Sequence, residues 1–311
     1  MPSAWAASTR STEETFVNRW LKRGALVVLI LVLGLGALVA AGLILGEQRA
    51  ARRIDIKLAP VSLRGDAAAV ERGRYLFGSR GCVDCHGFNG GGATLADDGK
   101  GLKLAGPNLT AGNPRIAGYQ PVDWVRSIRH GVGADGRALR LMPSEDYNRL
   151  TDDDLASIVA YVRQLAPQAG QEDGIVQLPL PGRVMYGLGR IPEAVTKIDH
   201  SLPPAEAVPE GVTLEHGRYV AQMCAGCHGA RLQGGKIVGA PPDWPAAARL
   251  ALGEGSVMPR YKDGEAFVAM MRSGKRADGS AIAVMPFASL KTMSDTDLRA
   301  LHLYLAQPTA P

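Results

Sequence analysis

Cysteine is scarce in this chain of 311 residues: there are four, and each belongs to one of two CxxCH runs, Cys82-Val83-Asp84-Cys85-His86 and Cys224-Ala225-Gly226-Cys227-His228. No thiol is left for a disulfide, a cysteine nucleophile or a third site of the same kind. Aromatic residues are also sparse, at 5%. Charged residues make up 21% against 46% hydrophobic, which excludes a disordered chain and fits about two folded domains. A strong charge of one sign is missing as well. The net charge is +5, but residues 1 to 57 hold eight Lys/Arg against four acids, so the remainder carries only +1. A near-neutral globular part excludes a nucleic-acid footprint.

What the two cysteine runs contain is specific. Two thiols one helical turn apart can both add to the vinyl groups of a haem, and the adjacent imidazole then sits under the iron as proximal ligand. A zinc knuckle, a dithiol redox pair and a structural disulfide are the competing uses of CxxC, and none needs a histidine directly after the second cysteine. The pattern predicts two covalently bound haem c groups, one on Cys82 and Cys85 with His86, the other on Cys224 and Cys227 with His228. A large flat porphyrin in each interior also suits the low aromatic content.

Only one long apolar stretch occurs. Gly24 to Gly46 is a run of 23 residues without a charge, enough at about 1.5 Å per residue to cross ~30 Å of hydrocarbon. It reads as a transmembrane helix, with residues 1–23 on the cytoplasmic side and 47–65 as a linker. A cleaved signal peptide is the alternative, but secretory apolar segments usually run about 7–15 residues. Basic residues flank both ends of the run, so they do not orient it. Haem is joined to CxxCH after export, which places everything beyond Gly46 on the periplasmic side of a bacterial inner membrane.

From Asp66 onward the chain repeats itself. Glu71, Gly73, Arg74 and Tyr75 answer Glu215, Gly217, Arg218 and Tyr219. Arg129, Gly131, Asp135, Gly136, Met142, Pro143 and Tyr161 answer Arg272, Gly274, Asp278, Gly279, Met285, Pro286 and Tyr304, every pair 143 residues apart. Two domains are expected, at 66–165 and 212–307, each the size of one small helical unit. Helices are predicted at Ala67–Ser79, Pro121–His130, Thr213–Met223 and Gly264–Arg272, with Trp124 and Phe267 facing inward. N-cap signals at Thr151-Asp152-Asp153-Asp154 and Ser294-Asp295-Thr296-Asp297 open a last helix in each unit. Gly73 and Gly217 would let the first helix cross closely over that last one, against Tyr161 and Tyr304. Residues 166–211 hold seven prolines, cannot form a third core, and read as a long connection along the surface.

A haem iron with one histidine has a second axial position, and its occupant decides between electron transfer and catalysis. Met142-Pro143 lies 56 residues beyond His86 and Met285-Pro286 lies 57 beyond His228. Proline stiffens such a loop, so Met142 and Met285 are the expected ligands. Met258-Pro259 is the rival in the second unit; its counterpart is Asn113-Pro114, so it reads as a loop or rim residue. His130, His200, His216 and His302 have no matching histidine in the other repeat and read as structural or solvated.

With CxxCH, Met-Pro and Gly106-Pro107-Asn108-Leu109 together, residues 66 to 307 resemble class I c-type cytochrome domains. The whole chain resembles the membrane-anchored dihaem cytochromes c that accompany periplasmic dehydrogenases. The resemblance implies an all-α fold of two tandem cytochrome c domains behind the membrane helix. It implies that the Pro107 carbonyl orients His86, with either Pro241 or Pro242 serving His228. It implies an electron carrier, not an enzyme, passing single electrons from a periplasmic dehydrogenase or quinol-linked respiratory complex to a downstream cytochrome or oxidase. The alternatives are the dihaem subunit of a cytochrome oxidase and a dihaem peroxidase, the latter opposed by two Met-Pro loops in register.

Overall fold

The structure, a computed structural model, describes residues 6–238, 240 and 243–308, with side chains from residue 19 onward. It opens on α1 (Ala6–Ala51), whose stretch from Arg19 is long and apolar enough to cross a membrane and is almost wholly exposed. The helix runs past the apolar segment because no proline or glycine pair interrupts Glu47 to Ala51. The segment after it is not free: Ile54 N–H donates to the Gly136 carbonyl at 2.8 Å, and Val61 is buried in the first domain's core.

The first domain is built on α2 (Ala67–Ser79), α3 (Pro121–His130) and α4 (Asp152–Val162). Asp66 and Thr151 cap α2 and α4 by accepting from the N–H groups of Ala69 and Asp154 at 3.0 Å each. The apolar faces of α2 and α4 meet over Leu76, Phe77, Leu155 and Val159, with Trp124 of α3 closing the side. At the crossing, a Cβ on Gly73 would stand 1.8 Å from the Ser157 carbonyl oxygen, so only glycine lets the two backbones approach.

The second domain repeats the plan with α6 (Leu214–Ala221), α7 (Gly264–Ser273) and α8 (Asp295–Leu305), where Gly217 crosses Ala300 in the same way. Its first helix is shorter than expected: after Ala221 the chain tightens into a 3-10 turn, Gln222–Cys224, that leads into the second motif.

In two places the all-helical expectation was incomplete. A small antiparallel sheet joins β1 (Thr94–Asp97), β2 (Lys103–Ala105) and β3 (Ile175–Gln177) in the order β1-β2-β3. The third strand comes from the proline-rich connection. That connection also forms α5 (Leu180–Gly187), which packs on the end of α1, and it buries Tyr186, Glu193, Ala194 and Val195. Its prolines prevent a separate core, yet its backbone is fastened to the first domain, as where Asn108 N–H donates to the Gln171 carbonyl at 2.8 Å.

Candidate haem sites and the seam between the domains

In the first domain the CxxCH run forms a one-turn helix, Cys82–His86, entered through Gly81 and left through Gly87, both at positive φ (83° and 71°). The turn places both thiols and the imidazole on one wall of a cavity of about 480 Å³, shared with Pro107, Trp124 and Met142. His86 Nδ1 lies 2.9 Å from the Pro107 carbonyl. A carbonyl only accepts, so Nδ1 carries the proton and Nε2 is left with its lone pair for a metal. Burial lowers the His86 pKa, with the Pro107 hydrogen bond opposing, which favours the neutral imidazole that ligation needs.

Pro107 is held firmly. Gly106 passes so close to the motif that a Cβ there would stand 2.1 Å from the Cys85 carbonyl oxygen. Asn108, fully buried, donates to the Gln168 carbonyl and accepts from the Thr110 N–H, both at 2.8 Å. Met142, which also lines the cavity, is half-buried, and its loop is tied by Ser144, whose N–H donates to the Met142 carbonyl at 2.9 Å. A pair of thiols, a lone-pair nitrogen and a thioether around one largely apolar cavity fit a covalently held haem.

The thiols themselves argue against the competing uses. Burial pushes Cys82 up to about 12 and Cys85 up to about 11, and Cys224 up to about 12. Thiols used for exchange or nucleophilic attack are instead shifted toward the thiolate.

In the second domain His228 is buried, and its Nδ1 donates at 2.7 Å to the carbonyl of Ala248. Pro241 and Pro242, offered by the sequence for this role, lie outside the described residues. Next to Ala248, Gly235 and Ala247 form an isolated antiparallel bridge, exchanging backbone hydrogen bonds at 2.9 Å. A backbone carbonyl has no side-chain signature; the one available signal was spacing, 20 residues from His228 against 21 from His86 to Pro107. Burial again lowers the pKa of the imidazole, the Ala248 bond opposing.

Met285 is half-buried beside Cys224 at the edge of the second core. Its carbonyl accepts from the Phe287 N–H at 2.8 Å, the same local bond as at Met142. Met258 is not at a rim. It starts a 3-10 turn, Met258–Arg260, and is 3% exposed within the core cluster of Tyr261, Phe267 and Met271.

Of the remaining histidines, His130 and His200 face each other with Nδ1 atoms 2.9 Å apart, His302 bonds the Tyr261 carbonyl, and His216 donates to Asp297 at 2.6 Å.

The two domains meet in a seam that repeats the internal duplication. Tyr75 of the first domain donates to Asp297 of the second at 2.5 Å, and Tyr219 of the second donates to Asp154 of the first at 2.7 Å. Each tyrosine hydroxyl also accepts an N–H from the partner helix's cap, Ser294 at 3.0 Å and Thr151 at 3.2 Å. The motif turns are exchanged likewise. Asp84, inside the first CxxCH, accepts from the Ser289 hydroxyl at 2.7 Å, while Gly226, inside the second, donates its N–H to Asp146 at 2.5 Å. Both cysteine-bearing turns therefore face the seam.

Buried in it, Arg80 pairs with Asp297 at 2.7 Å, the side chains 4% and 0% exposed. Burial alone would raise the Asp297 carboxyl, but the His216 hydrogen bond, the Arg80 charge and the Tyr75 hydroxyl outweigh it and hold the carboxyl well below its usual range. Asp146 has no comparable partner, and burial pushes it up to about 8 against the Gly226 bond.

Sequence reasoning identified the thiols and imidazoles but not Arg80, Asp84, Asp146 or Asp297. Tyr75 and Tyr219 were visible as repeat matches and Asp297 as a helix-opening acid, although neither observation names its partner across the seam.

Comparison with known proteins places this geometry. Residues 70–166 match the family described as Cytochrome c, and residues 214–305 that described as Cytochrome C oxidase, cbb3-type, subunit III. The chain is 27% identical over 273 residues to the fructose dehydrogenase cytochrome subunit of Gluconobacter japonicus, covering 79% of this chain and 54% of that protein. It is 28% identical over 280 residues to the alcohol dehydrogenase (quinone) cytochrome c subunit of Gluconobacter oxydans (strain 621H), covering 79% and 56%. To the gluconate 2-dehydrogenase cytochrome c subunit of Pantoea cypripedii it is 28% identical over 176 residues, covering 53% and 38%. The chain thus spans about half the length of the first two of these relatives.

Proposed function

The chain carries two cytochrome c domains, and from that premise we propose that it is a membrane-tethered relay for single electrons. Haem c, when bound, supplies the reversible one-electron chemistry of its iron. The residues of this chain supply attachment, orientation and spacing. Cys82 and Cys85 hold one group, Cys224 and Cys227 the other, and His86 and His228 are proximal ligands oriented by the Pro107 and Ala248 carbonyls. A carbonyl hydrogen-bonded to the far ring nitrogen raises the basicity of the ligating one. Met142 and Met285 would supply the second protein ligand to each iron; thioether ligation would leave no coordination position for substrate and would raise the reduction potential.

The observation that carries this reading is the seam. Asp84 with Ser289, and Gly226 with Asp146, hold both motif turns against the opposite domain. An arrangement that keeps two redox groups close and fixed suits a relay better than two independent carriers.

The donor, in this reading, is a periplasmic dehydrogenase, since the similar cytochrome subunits are each named as the subunit of a dehydrogenase. The acceptor is a downstream cytochrome or oxidase. The exposed apolar helix α1 anchors the chain in the inner membrane with both domains in the periplasm.

A second reading, a subunit of an oxidase, is favoured by one observation, the match of residues 214–305 to an oxidase subunit family. Affinity purification of the tagged chain from its own membranes distinguishes them: a dehydrogenase large subunit supports the first, oxidase subunits the second.

Spectral redox titration of the detergent-solubilised chain, with peroxide added at each stage, tests the relay itself. Two low-spin haems that stay inert to peroxide are expected. A high-spin haem in the half-reduced form with peroxide turnover would overturn the relay and make the protein an enzyme.

A further inference from the structure

Helix α5 lies in the proline-rich connection and packs on α1. The crossing is tight. A Cβ on Gly187 would stand 1.8 Å from the Gly42 carbonyl oxygen, and one on Gly42 would stand 2.7 Å from a Val184 methyl. On α1 the covered positions recur at helical spacing: Gly42 and Gly46 are buried, Val39, Leu43 and Arg49 half-buried, and Ala41, Ile44 and Leu45 exposed. Gly42 and Gly46 belong to the uncharged 23-residue run. Gly42 is four residues inside its end, or about 6 Å of helix. Whatever packs on Gly42 is at the depth of acyl chains if α1 crosses a bilayer.

The side of α5 turned away from α1 is apolar and unpaired. Pro181, Met185 and Leu188, spaced four and three residues apart, are all exposed, Met185 by 45% and Leu188 by 40%. Within the stretch of α1 that α5 covers, between Gly42 and Gly46, Ile44 and Leu45 are also exposed, so both helices present apolar side chains at their crossing.

These apolar side chains end at a polar boundary. One turn beyond Gly46, Arg49 bonds the Tyr186 carbonyl at 3.0 Å and pairs with buried Glu193 at 3.2 Å, and its guanidinium lies 4.9 Å from the Tyr186 ring centre. Arg183, half in solvent, reaches Glu47 at 3.7 Å, and Arg190 is exposed past the end of the helix. Long basic side chains at that height suit lipid headgroups, their stems covering apolar surface.

We propose that α5 is an interfacial membrane element, seated beside α1 in the outer leaflet with Pro181, Met185 and Leu188 among phospholipid acyl chains. Eight residues are far too few to span, so the helix lies in the interface and does not cross. The occupant of this face is lipid, because the face adjoins the exposed apolar side chains of the anchor helix itself. The inference rests on the anchor reading given above. Its consequence is a fixed tether: α1 and α5 together seat the first domain on the membrane surface, where Ala50 of α1 already lines the Cys82/His86 cavity.

The test uses the full-length holoprotein with single introduced cysteines carrying a nitroxide, reconstituted in phosphatidylcholine/phosphatidylglycerol vesicles. Wild-type protein, whose four native cysteines lie in the motif turns, supplies the labelling background. Collision with oxygen, which concentrates in acyl chains, is compared with collision with a water-soluble nickel chelate. Met185→Cys and Leu188→Cys should be relaxed more by oxygen than by nickel, as Leu33→Cys in mid-helix should be, while Val212→Cys, at the exposed start of the second domain, should show the reverse. Nickel-dominated relaxation at 185 and 188 with an oxygen-dominated 33 overturns the interfacial helix and leaves the anchor standing. A nickel-dominated 33 overturns the anchor as well.

Met185→Lys supplies a second readout without a label. Haem content and the visible spectrum should be unchanged, and oxygen-dominated relaxation at Leu188→Cys should be lost or reduced in the double variant. An unchanged relaxation at 188 counts against lipid as the occupant.

Discussion

Tyr75 and Tyr219 hold the same place in the two repeats, and each hydrogen-bonds the first turn of the last helix of the other domain, through Asp297 at 2.5 Å and Asp154 at 2.7 Å. The exchange ties each helix start, already capped by its own Ser294 or Thr151, to the opposite domain. Removing the Tyr75 hydroxyl in Tyr75→Phe should cost about 1 kcal/mol. Removing the Asp297 charge in Asp297→Ala strands the buried Arg80 guanidinium and should cost about 3–5 kcal/mol. Denaturant unfolding checks both, and a double-mutant cycle between Tyr75→Phe and Asp297→Asn should show coupling, since the two groups touch.

Gly73 and Gly217 sit where no other residue fits. Gly73→Ala drives its Cβ into the Ser157 carbonyl and Gly217→Ala into the Ala300 carbonyl, at 1.8 and 2.0 Å. Neither backbone can yield without parting its helix pair, so the loss should reach or exceed the upper end of the about 1–3 kcal/mol usual for overpacking. Thermal unfolding of each variant, with haem retained per chain as a second readout, checks this. An exposed control, Gly65→Ala, meets nothing within 4 Å and should be near neutral.

Two buried titrating groups give opposite pH signs. Asp146 is pushed up to about 8, chiefly by burial. Between about pH 4, where an unfolded aspartate ionises, and about pH 8, the unfolded chain has lost a proton that the folded chain keeps. Stability therefore declines across that window, and Asp146→Asn should remove the decline. His130 is lowered to about 4 by burial and by the neighbouring His200 and Arg129. Its contribution is complete above about pH 6.5 and is lost as the pH falls toward about 4, as His130 gains a proton. Hydrogen exchange across residues 194–205, which His200 fastens to the first domain, should accelerate over that range. His130→Asn should flatten the response.

The two proposed methionine ligands are separable by spectroscopy. Met142→Leu should abolish the near-infrared methionine-to-iron band of one haem and lower its potential, because methionine ligation raises potential. Met285→Leu should do the same to the other haem. Met258→Leu, a volume-conserving change inside a packed core, should keep both bands and cost less than about 1.5 kcal/mol. Loss of a band in Met258→Leu and its retention in Met285→Leu would reverse the assignment.

Much of the candidate site was legible because its chemistry is written in short windows. CxxCH brings two thiols and an imidazole together within one turn, and Gly106-Pro107 presents a carbonyl at a readable place. The second domain hid its equivalent, since Ala248 contributes only backbone and any residue type could stand there. Met258, read as a loop or rim residue because its counterpart is Asn113, does stand in a turn but is buried, since repeat alignment carries no information on depth. The connection at 166–211 looked featureless through its prolines, yet it supplies β3 and α5, whose burial depends on surfaces belonging to other elements.

By itself the sequence determined the number of CxxCH motifs, the long apolar segment, the duplication, and the helices with their caps and crossing glycines. All of these follow from covalent chemistry, periodicity or backbone sterics acting over a few residues. The tertiary structure alone decided how the repeats face one another. Tyr75 and Asp297 stand 222 residues apart, and no local rule pairs them. It also decided that Asp146 is desolvated with only the Lys197 charge and the Gly226 bond opposing, while Asp297 is held by Arg80 and His216, and that a short helix leans on the long apolar one. Burial and partnership across a seam are properties of surfaces brought together, and a linear pattern marks only that a surface exists.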